Sequence, residues 1–316
     1  MSGNLYLMSD IHGYFIPFLQ ILKKIRFTDA NRMVILGDLV AKGPDSLGLL
    51  CFVMEHKNIL ALRGNHEQRL LQYFGTDRAA GIPDSTMRPW VAGDGAGIIR
   101  QMNMLSETGR RKVLEFIGTM PLWEVMEICG RKYVLVHGAP DDEMKKELLA
   151  VQKDPGGKRK TADYDVLLNR YESPDSDNRL PAGMTAVVGH TPTFKYGTQY
   201  AGDMIIRDDK IFLDCGAGQG YGLGCLEILF ESRHIFTVAK FQSGKLLSSG
   251  CLHPFAFEAR VMVNDKYIVF AEPNIELATI ATDGVGFDKG GYGILCRTGR
   301  IPETAMGYHF SLCYEG

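Results

Sequence analysis

The stretch Leu5-Tyr6-Leu7-Met8-Ser9-Asp10-Ile11-His12-Gly13 decides the fold. Four apolar residues closed by a turn read as a buried strand, and Asp10 and His12 follow at its carboxyl end, where open α/β sheets place their sites. The same grammar recurs along the chain. Met33-Val34-Ile35-Leu36 runs into Gly37-Asp38-Leu39-Val40, and Ile59-Leu60-Ala61-Leu62 into Arg63-Gly64-Asn65-His66-Glu67. Tyr133-Val134-Leu135-Val136 runs into His137-Gly138, and Thr185-Ala186-Val187-Val188 into Gly189-His190-Thr191. Any one Asp or His after a strand reads more simply as a capping or hydrogen-bonding residue. Five such clusters in order, holding four of the eight histidines, read as one site. Their Asp, His and Asn side chains form a ligand set for two adjacent divalent cations, the apparatus that splits phosphate esters.

These clusters resemble the calcineurin-like metallophosphoesterases, in the branch of phosphoprotein phosphatases and their bacterial relatives. That pattern runs D-x-H, G-D, G-N-H-[DE], a later H and a final G-H, and the resemblance covers about residues 1 to 240. It implies an α/β fold of four layers, a β-sandwich flanked by helices. Position by position, it implies that Asp10 and His12 hold one metal, that Asp38 bridges both, and that Asn65, His137 and His190 hold the second. His66 is then the general acid for the oxygen that leaves phosphorus, its plainer reading being a core histidine. The donor types suit Mn, Fe, Zn or Ni, with Mn as the expected ion.

Phosphate oxygens away from the metals need cationic donors, and an Arg fork fits best. Arg170, in Val166-Leu167-Leu168-Asn169-Arg170, resembles the phosphate-gripping arginine of bacterial and phage members, against the plainer reading of a solvated helix-end residue. Arg63 and Lys42 are further candidates; Arg63 directly follows a strand, which leaves its direction open. Where phosphoprotein phosphatases usually read G-D-x-V-D-R-G, this chain has Gly37-Asp38-Leu39-Val40-Ala41-Lys42-Gly43-Pro44. Ala41 lacks the carboxylate that in the family orients the general-acid histidine, and Lys42 replaces a forked cation with a point charge.

Diadenosine tetraphosphatases and ApaH-like phosphatases are closer in this second motif, whereas Glu67 matches the phosphoprotein phosphatase form of the third. A Ser/Thr protein phosphatase-like monoesterase and a nucleoside polyphosphate hydrolase stand nearly balanced, with Glu67 and Arg170 tilting toward the first. An RNA-end phosphatase or phosphodiesterase stays open. So does a phosphate-sensing protein without turnover, against which the complete ligand set and His66 speak. Ile211-Phe212-Leu213-Asp214-Cys215-Gly216-Ala217-Gly218, followed by Leu223 to Leu229, resembles the stretch that ends bacterial members and reads as two packed strands around a glycine-rich turn near the site.

The 316 residues, 45% hydrophobic and 23% charged, suffice for a large core plus an extension. The division expected is a catalytic domain over residues 1–245, with a helical cap over about 76–122, and a β-rich extension of unassigned role over 246–316. A net charge of −2 offers no general basic field, so partners are expected to be a phosphorylated protein or a nucleotide rather than duplex DNA or a membrane. A basic loop around Lys153, Lys158, Arg159 and Lys160 reads as a solvated loop or as a lure for an anionic substrate. Seven scattered cysteines suggest reduced, buried thiols, and with no apparent leader and no apolar run near 18 residues the chain is expected to be soluble and cytoplasmic.

Overall fold

The computed structural model describes residues 4–76, 84–128, 130–153, 164–228 and 235–242, together with strands at 259–263, 266–270, 285–287 and 293–295. In chain order the elements are β1 (Leu5–Met8), α1 (Phe15–Lys24), β2 (Arg32–Ile35), α2 (Ser46–Glu55), β3 (Ile59–Ala61) and α3 (Asn65–Tyr73). Next come α4 (Asp84–Ala92), α5 (Ala96–Met104), α6 (Glu107–Thr119), β4 (Trp123–Ile128), β5 (Arg131–Val136) and α7 (Asp142–Lys153). The second sheet is completed by β6 (Met184–Val188), β7 (Ile205–Ile206) and β8 (Lys210–Phe212), and β9 (Gly222–Ile228) and β10 (Ile235–Gln242) return to the first.

Two five-stranded sheets result, ordered β10-β9-β1-β2-β3 and β4-β5-β6-β8-β7. Alternation along each strand explains why they stack, because successive side chains serve opposite faces. Leu5 and Leu7 join Val34, Leu135, Val187 and Ile211 in the core between the sheets. Tyr6, Met8, Met33 and Ile35 instead pack outward against α1 to α6. Val134, Val136, Ala186 and Val188 form the second outer core, with Met144 and Leu148 of α7. The layers are therefore helix, sheet, sheet, helix, the expected four-layer α/β fold.

Parallel pairing brings the site together. β1 pairs β2 and β2 pairs β3 in parallel, as β5 does β6 and β6 does β8, so the carboxyl ends of these strands lie along one edge of each sheet. All five apolar runs are strands that deliver their clusters there. The helical stripe after the first motif is α1, and the stretch around Arg110 to Ile117 lies in α6. β8 and β9 flank the glycine-rich turn as expected, yet they belong to different sheets and meet only across the shared core through Ile211, Leu226 and Ile228.

Further along the chain, strands Ala259–Val263 (β11) and Lys266–Phe270 (β12) pair antiparallel, as do Val285–Phe287 (β13) and Gly293–Leu295 (β14). The run expected at residues 277–281 and most of the basic loop at 153–160 lie outside the described residues. Cys215 and Cys225 are free and buried, in line with reduced thiols. Among the described residues, no helix is long and apolar enough to cross a membrane.

Candidate metal centre

Sharp turns after the strands aim the site residues. Asp10 (φ 54°), His12 (φ 52°), Asp38 (φ 54°) and His190 (φ 63°) all take the left-handed conformation, and so do Ala41 (φ 75°) and Lys42 (φ 63°). Non-glycine residues visit this region at a cost, and such strain gathers where a surrounding structure holds a site in place. Gly64 is required by close approach: a Cβ there would collide with the Asp38 carboxylate and backbone. Asn65 and His66 open α3 directly behind it.

Asp10, His12, Asp38, Asn65, His66 and His137 are almost wholly buried, and His190 is 9% exposed. Oδ2 of Asp10 accepts from the Ser9 hydroxyl (2.5 Å) and the His190 backbone N–H (2.9 Å), whereas its Oδ1, equally buried, has no hydrogen-bond partner. Oδ1 of Asp38 accepts the His66 backbone N–H at 3.0 Å. His12 donates Nδ1–H to the Val40 carbonyl (3.1 Å), and His137 does the same to Leu36 (2.7 Å). Carbonyls only accept, so in each neutral ring Nε2 is left as a lone-pair donor, the arrangement in which metal-binding histidines are held. Nε2 of His137 then faces two further acceptors, Oδ1 of Asn65 at 3.0 Å and Oδ1 of Asp38 at 3.4 Å. Nε2 of His12 lies 3.8 Å from Asp10 Oδ1 and 3.7 Å from Asp38 Oδ2, and accepts from the Lys42 ammonium at 2.9 Å. Nε2 of His190 is buried without a partner.

Electron-rich atoms aimed at one another are unfavourable unless a cation lies among them. Among the described residues, the ligand atoms of His12, Asp38 and His66 and those of Asp38, His137 and His190 each gather within 4.8 Å of one another, and Asp38 belongs to both groups. The donor set, the orphaned Asp10 Oδ1 and the orphaned His190 Nε2 therefore fit a pair of divalent ions.

Protonation equilibria report the same crowding. Burial pushes Asp10 up to about 6, with the neighbouring Asp38 charge adding to it. Burial also acts to raise Asp38, but the His137 and His66 rings overcome it and hold the carboxyl well below the usual range. Burial lowers His12 to about 3, helped by Lys42, and lowers His66 and His190 well below the usual range. His137 moves up to about 10, because Asp38 outweighs the opposing effect of burial, so the proton between its Nε2 and Asp38 is the one that a bound ion would displace.

The cationic candidates separate. Lys42 enters the site through His12, and a Cβ on Gly218 of the glycine-rich turn would lie 2.6 Å from both Lys42 Cδ and His12 Cδ2, so that turn lines the pocket. Arg170 reaches the rim, where Nη1 donates to the His190 carbonyl (3.3 Å) and Thr191 Oγ1 (3.0 Å). Arg63 turns into the protein: its fork donates to Gln68 Oε1 (3.0 Å) and to the Gly118 carbonyl (2.6 Å), fastening α3 to the end of α6.

Three functional residues were not on the sequence-based site. Glu67 is a backbone clamp, its carboxylate accepting from the N–H groups of Asp38 (2.8 Å), Gly64 (2.9 Å) and Val40 (3.0 Å). Lys195 lies near enough to Arg170 and Lys42 that, after burial, their charges lower its pKa further. Trp90 donates its indole N–H to His66 Nδ1 at 2.8 Å. Only the position of Glu67 in the third motif offered a signal for any of them.

The class this site defines has a family: a model described as calcineurin-like phosphoesterase matches residues 3–216, and the chain belongs to that family, whose members hydrolyse phosphoester bonds with divalent ions. Among curated relatives, the symmetrical bis(5'-nucleosyl)-tetraphosphatase of Salmonella paratyphi C is 30% identical over 139 residues, 40% of this chain and 48% of that protein. The protein of the same name from Salmonella typhimurium matches to the same extent, so the chain spans about half the length of these relatives. Two solved structures are similar in fold: a protein serine/threonine phosphatase from Saccharomyces cerevisiae (14% identity, TM-score 0.46, 78% of this chain and 82% of that one) and a cold-active protein-tyrosine phosphatase of a Shewanella species (18%, 0.41, 75% and 80%). At these values they are noted as likenesses only.

Proposed function

We propose that the chain is a divalent-metal-dependent hydrolase of phosphoric ester or anhydride bonds, with nucleoside polyphosphates as its substrate class. In this reading Asp10 and His12 hold one ion, Asn65, His137 and His190 hold the other, and Asp38 serves both. When bound, the ions supply Lewis-acid polarisation of phosphoryl oxygens and an acidified water. The remaining work falls to the chain itself. Lys42 and Arg170 hold non-bridging oxygens, and His66 presents Nε2 to the oxygen that leaves phosphorus.

The observation that supports the substrate class is a pair of cations on the site itself, Lys42 against the His12 ring at 2.9 Å and Arg170 at the His190 carbonyl and Thr191, with Lys195 near enough to both for their charges to act on it. A polyphosphate carries more charge than a monoester and makes use of a third cation, while a monoester needs one fork. The second motif, Ala41-Lys42-Gly43-Pro44, points the same way, as do the tetraphosphatase relatives. Glu67 no longer favours a protein phosphatase once it is read as a backbone clamp, since a clamp reports the loop it holds and not the substrate.

A Ser/Thr protein phosphatase-like activity is the second reading, favoured by Arg170, whose fork suits a single phosphoryl group. Turnover with Mn(II) on diadenosine tetraphosphate and on a Ser/Thr phosphopeptide, with Asp38→Ala as control, separates the two. Faster dinucleotide cleavage is the expected result. Faster phosphopeptide turnover overturns the substrate class, and no turnover of either with metal bound overturns the catalytic reading in favour of a phosphate sensor.

A further inference from the structure

We infer that Trp90, on the cap, is the positioning residue for His66. The inference rests on the reading above in which His66 Nε2 faces the leaving oxygen, and it concerns what holds that ring. Ala41 leaves no carboxylate at the position from which the family orients this histidine. The ring nevertheless has a partner at Nδ1, the Trp90 indole N–H, at 2.8 Å with both side chains buried.

The chemistry of that partner is decisive. Indole N–H donates and never accepts, so His66 Nδ1 is the unprotonated nitrogen and Nε2 carries the hydrogen. A carboxylate at Nδ1 does the opposite, accepting Nδ1–H and so favouring either the Nδ1–H tautomer or a ring protonated at both nitrogens. Trp90 instead selects a neutral ring whose Nε2–H points inward, 3.8 Å from Asp38 Oδ2. His66 so held acts as a hydrogen-bond donor to the developing charge on the leaving oxygen. A water oxygen forms the new P–O bond and loses its proton to solvent, the P–O bond to the leaving group breaks with its electron pair staying on that oxygen, and the proton that neutralises it comes from solvent.

The cap is built around this contact. A Cβ on Gly95 would lie 2.6 Å from the Trp90 ring, so the indole rests directly on the glycine backbone. Gly93 and Gly95 both donate backbone N–H groups to the Trp90 carbonyl, at 3.2 and 2.8 Å. In the same turn, the Asp94 carbonyl accepts the Lys42 backbone N–H at 2.9 Å. The end of α4 and the turn that follows it thus hold the histidine and the lysine together, which ties their placement to leaving-group chemistry.

The test replaces Trp90 by β-(3-benzothienyl)alanine, an isostere with sulfur in place of N–H, and by the simpler Trp90→Phe. Rates with Mn(II) are compared on 4-nitrophenyl phosphate, whose leaving group needs little help, and phenyl phosphate, whose leaving group needs more. The imidazole protons of the Zn(II)-loaded, 15N-histidine protein are read by two-bond 1H–15N correlation, with His66→Gln for assignment. The expected result is the Nε2–H tautomer in the unaltered protein, lost in the isostere, with phenyl phosphate turnover falling about tenfold more than 4-nitrophenyl phosphate turnover. A ring protonated at Nδ1 in the unaltered protein, or equal losses on both esters, overturns the inference. Absence of turnover on both esters by the unaltered protein overturns the catalytic reading instead, and the tautomer measurement then decides the positioning of His66 by itself.

Discussion

Glu67 offers the sharpest test of how the site is held. It is fully buried at the start of α3, and its carboxylate closes three backbone hydrogen bonds, to Asp38, Val40 and Gly64. Two of those partners belong to the loop that turns Asp38 inward through a strained φ of 54°. In Glu67→Ala, three buried N–H groups lose their acceptor. At about 1–3 kcal/mol for each stranded donor, and allowing for partial relaxation, the loss is about 4–6 kcal/mol, a large part of the stability of an ordinary domain. Glu67→Gln keeps one oxygen. Placed where Oε2 now lies, it retains the bonds to Asp38 and Gly64 and sets an amide NH2 against the Val40 N–H, at about 2–3 kcal/mol. The assay is urea unfolding of the metal-free protein by far-UV circular dichroism at pH 7, with Mn(II) affinity measured in parallel. The expected order is parent, Gln, Ala, with affinity falling in the same order because the Asp38 loop loosens. An Ala variant within about 1 kcal/mol of the parent, or one whose metal affinity is unchanged, refutes the clamp.

Other expectations follow from single contacts. Asp45 caps α2 through Gly48; the residue keeps some exposure, but Oδ2 is sealed from solvent without a partner, and burial pushes the carboxyl up to about 7. A raised carboxyl contributes fully below its unfolded value near 4 and loses that contribution as pH climbs through 7, so Asp45→Asn is expected to melt higher than the parent at pH 8 and alike at pH 4, by about 2–4 kcal/mol at most. Equal differences at both pH values count against it. Arg170→Ala is expected to lower kcat about 100-fold with little change in melting, as for loss of a charged donor at the reacting group. Arg63→Ala should do the reverse, costing about 2–3 kcal/mol of stability through Gln68 and Gly118 while kcat stays within a few-fold. Gly218→Ala is expected to weaken metal binding, because its Cβ would press on the His12 ring; unaltered affinity by calorimetry would remove the turn from the pocket.

The fold was legible wherever chemistry and strand pattern sit side by side in sequence. Asp10, Asp38, His137 and His190 each follow an apolar run within a few residues, and parallel pairing does the rest. What was hidden depends on partners far apart in the chain. Glu67 reaches back 29 residues to Asp38, so its motif position suggested a substrate while its contacts are to backbone. Trp90 meets His66 across 24 residues from a stretch that reads as Gly/Pro-broken cap. The direction of Arg63 is set by the Gly118 carbonyl, 55 residues away, and no local pattern encodes it. The left-handed turns at Asp10, His12 and His190 were equally invisible, since those residue types carry no glycine-like signal for positive φ.

In the proposed centre, Asp38 serves two cation sites at once. Calorimetric titration of the metal-free protein with Mn(II), checked by elemental analysis after gel filtration, tests it directly in the parent, Asp10→Ala and Asp38→Ala. The expected result is about two ions per chain for the parent, one for Asp10→Ala and none held tightly by Asp38→Ala. A single ion in the parent, or two retained by Asp38→Ala, contradicts it.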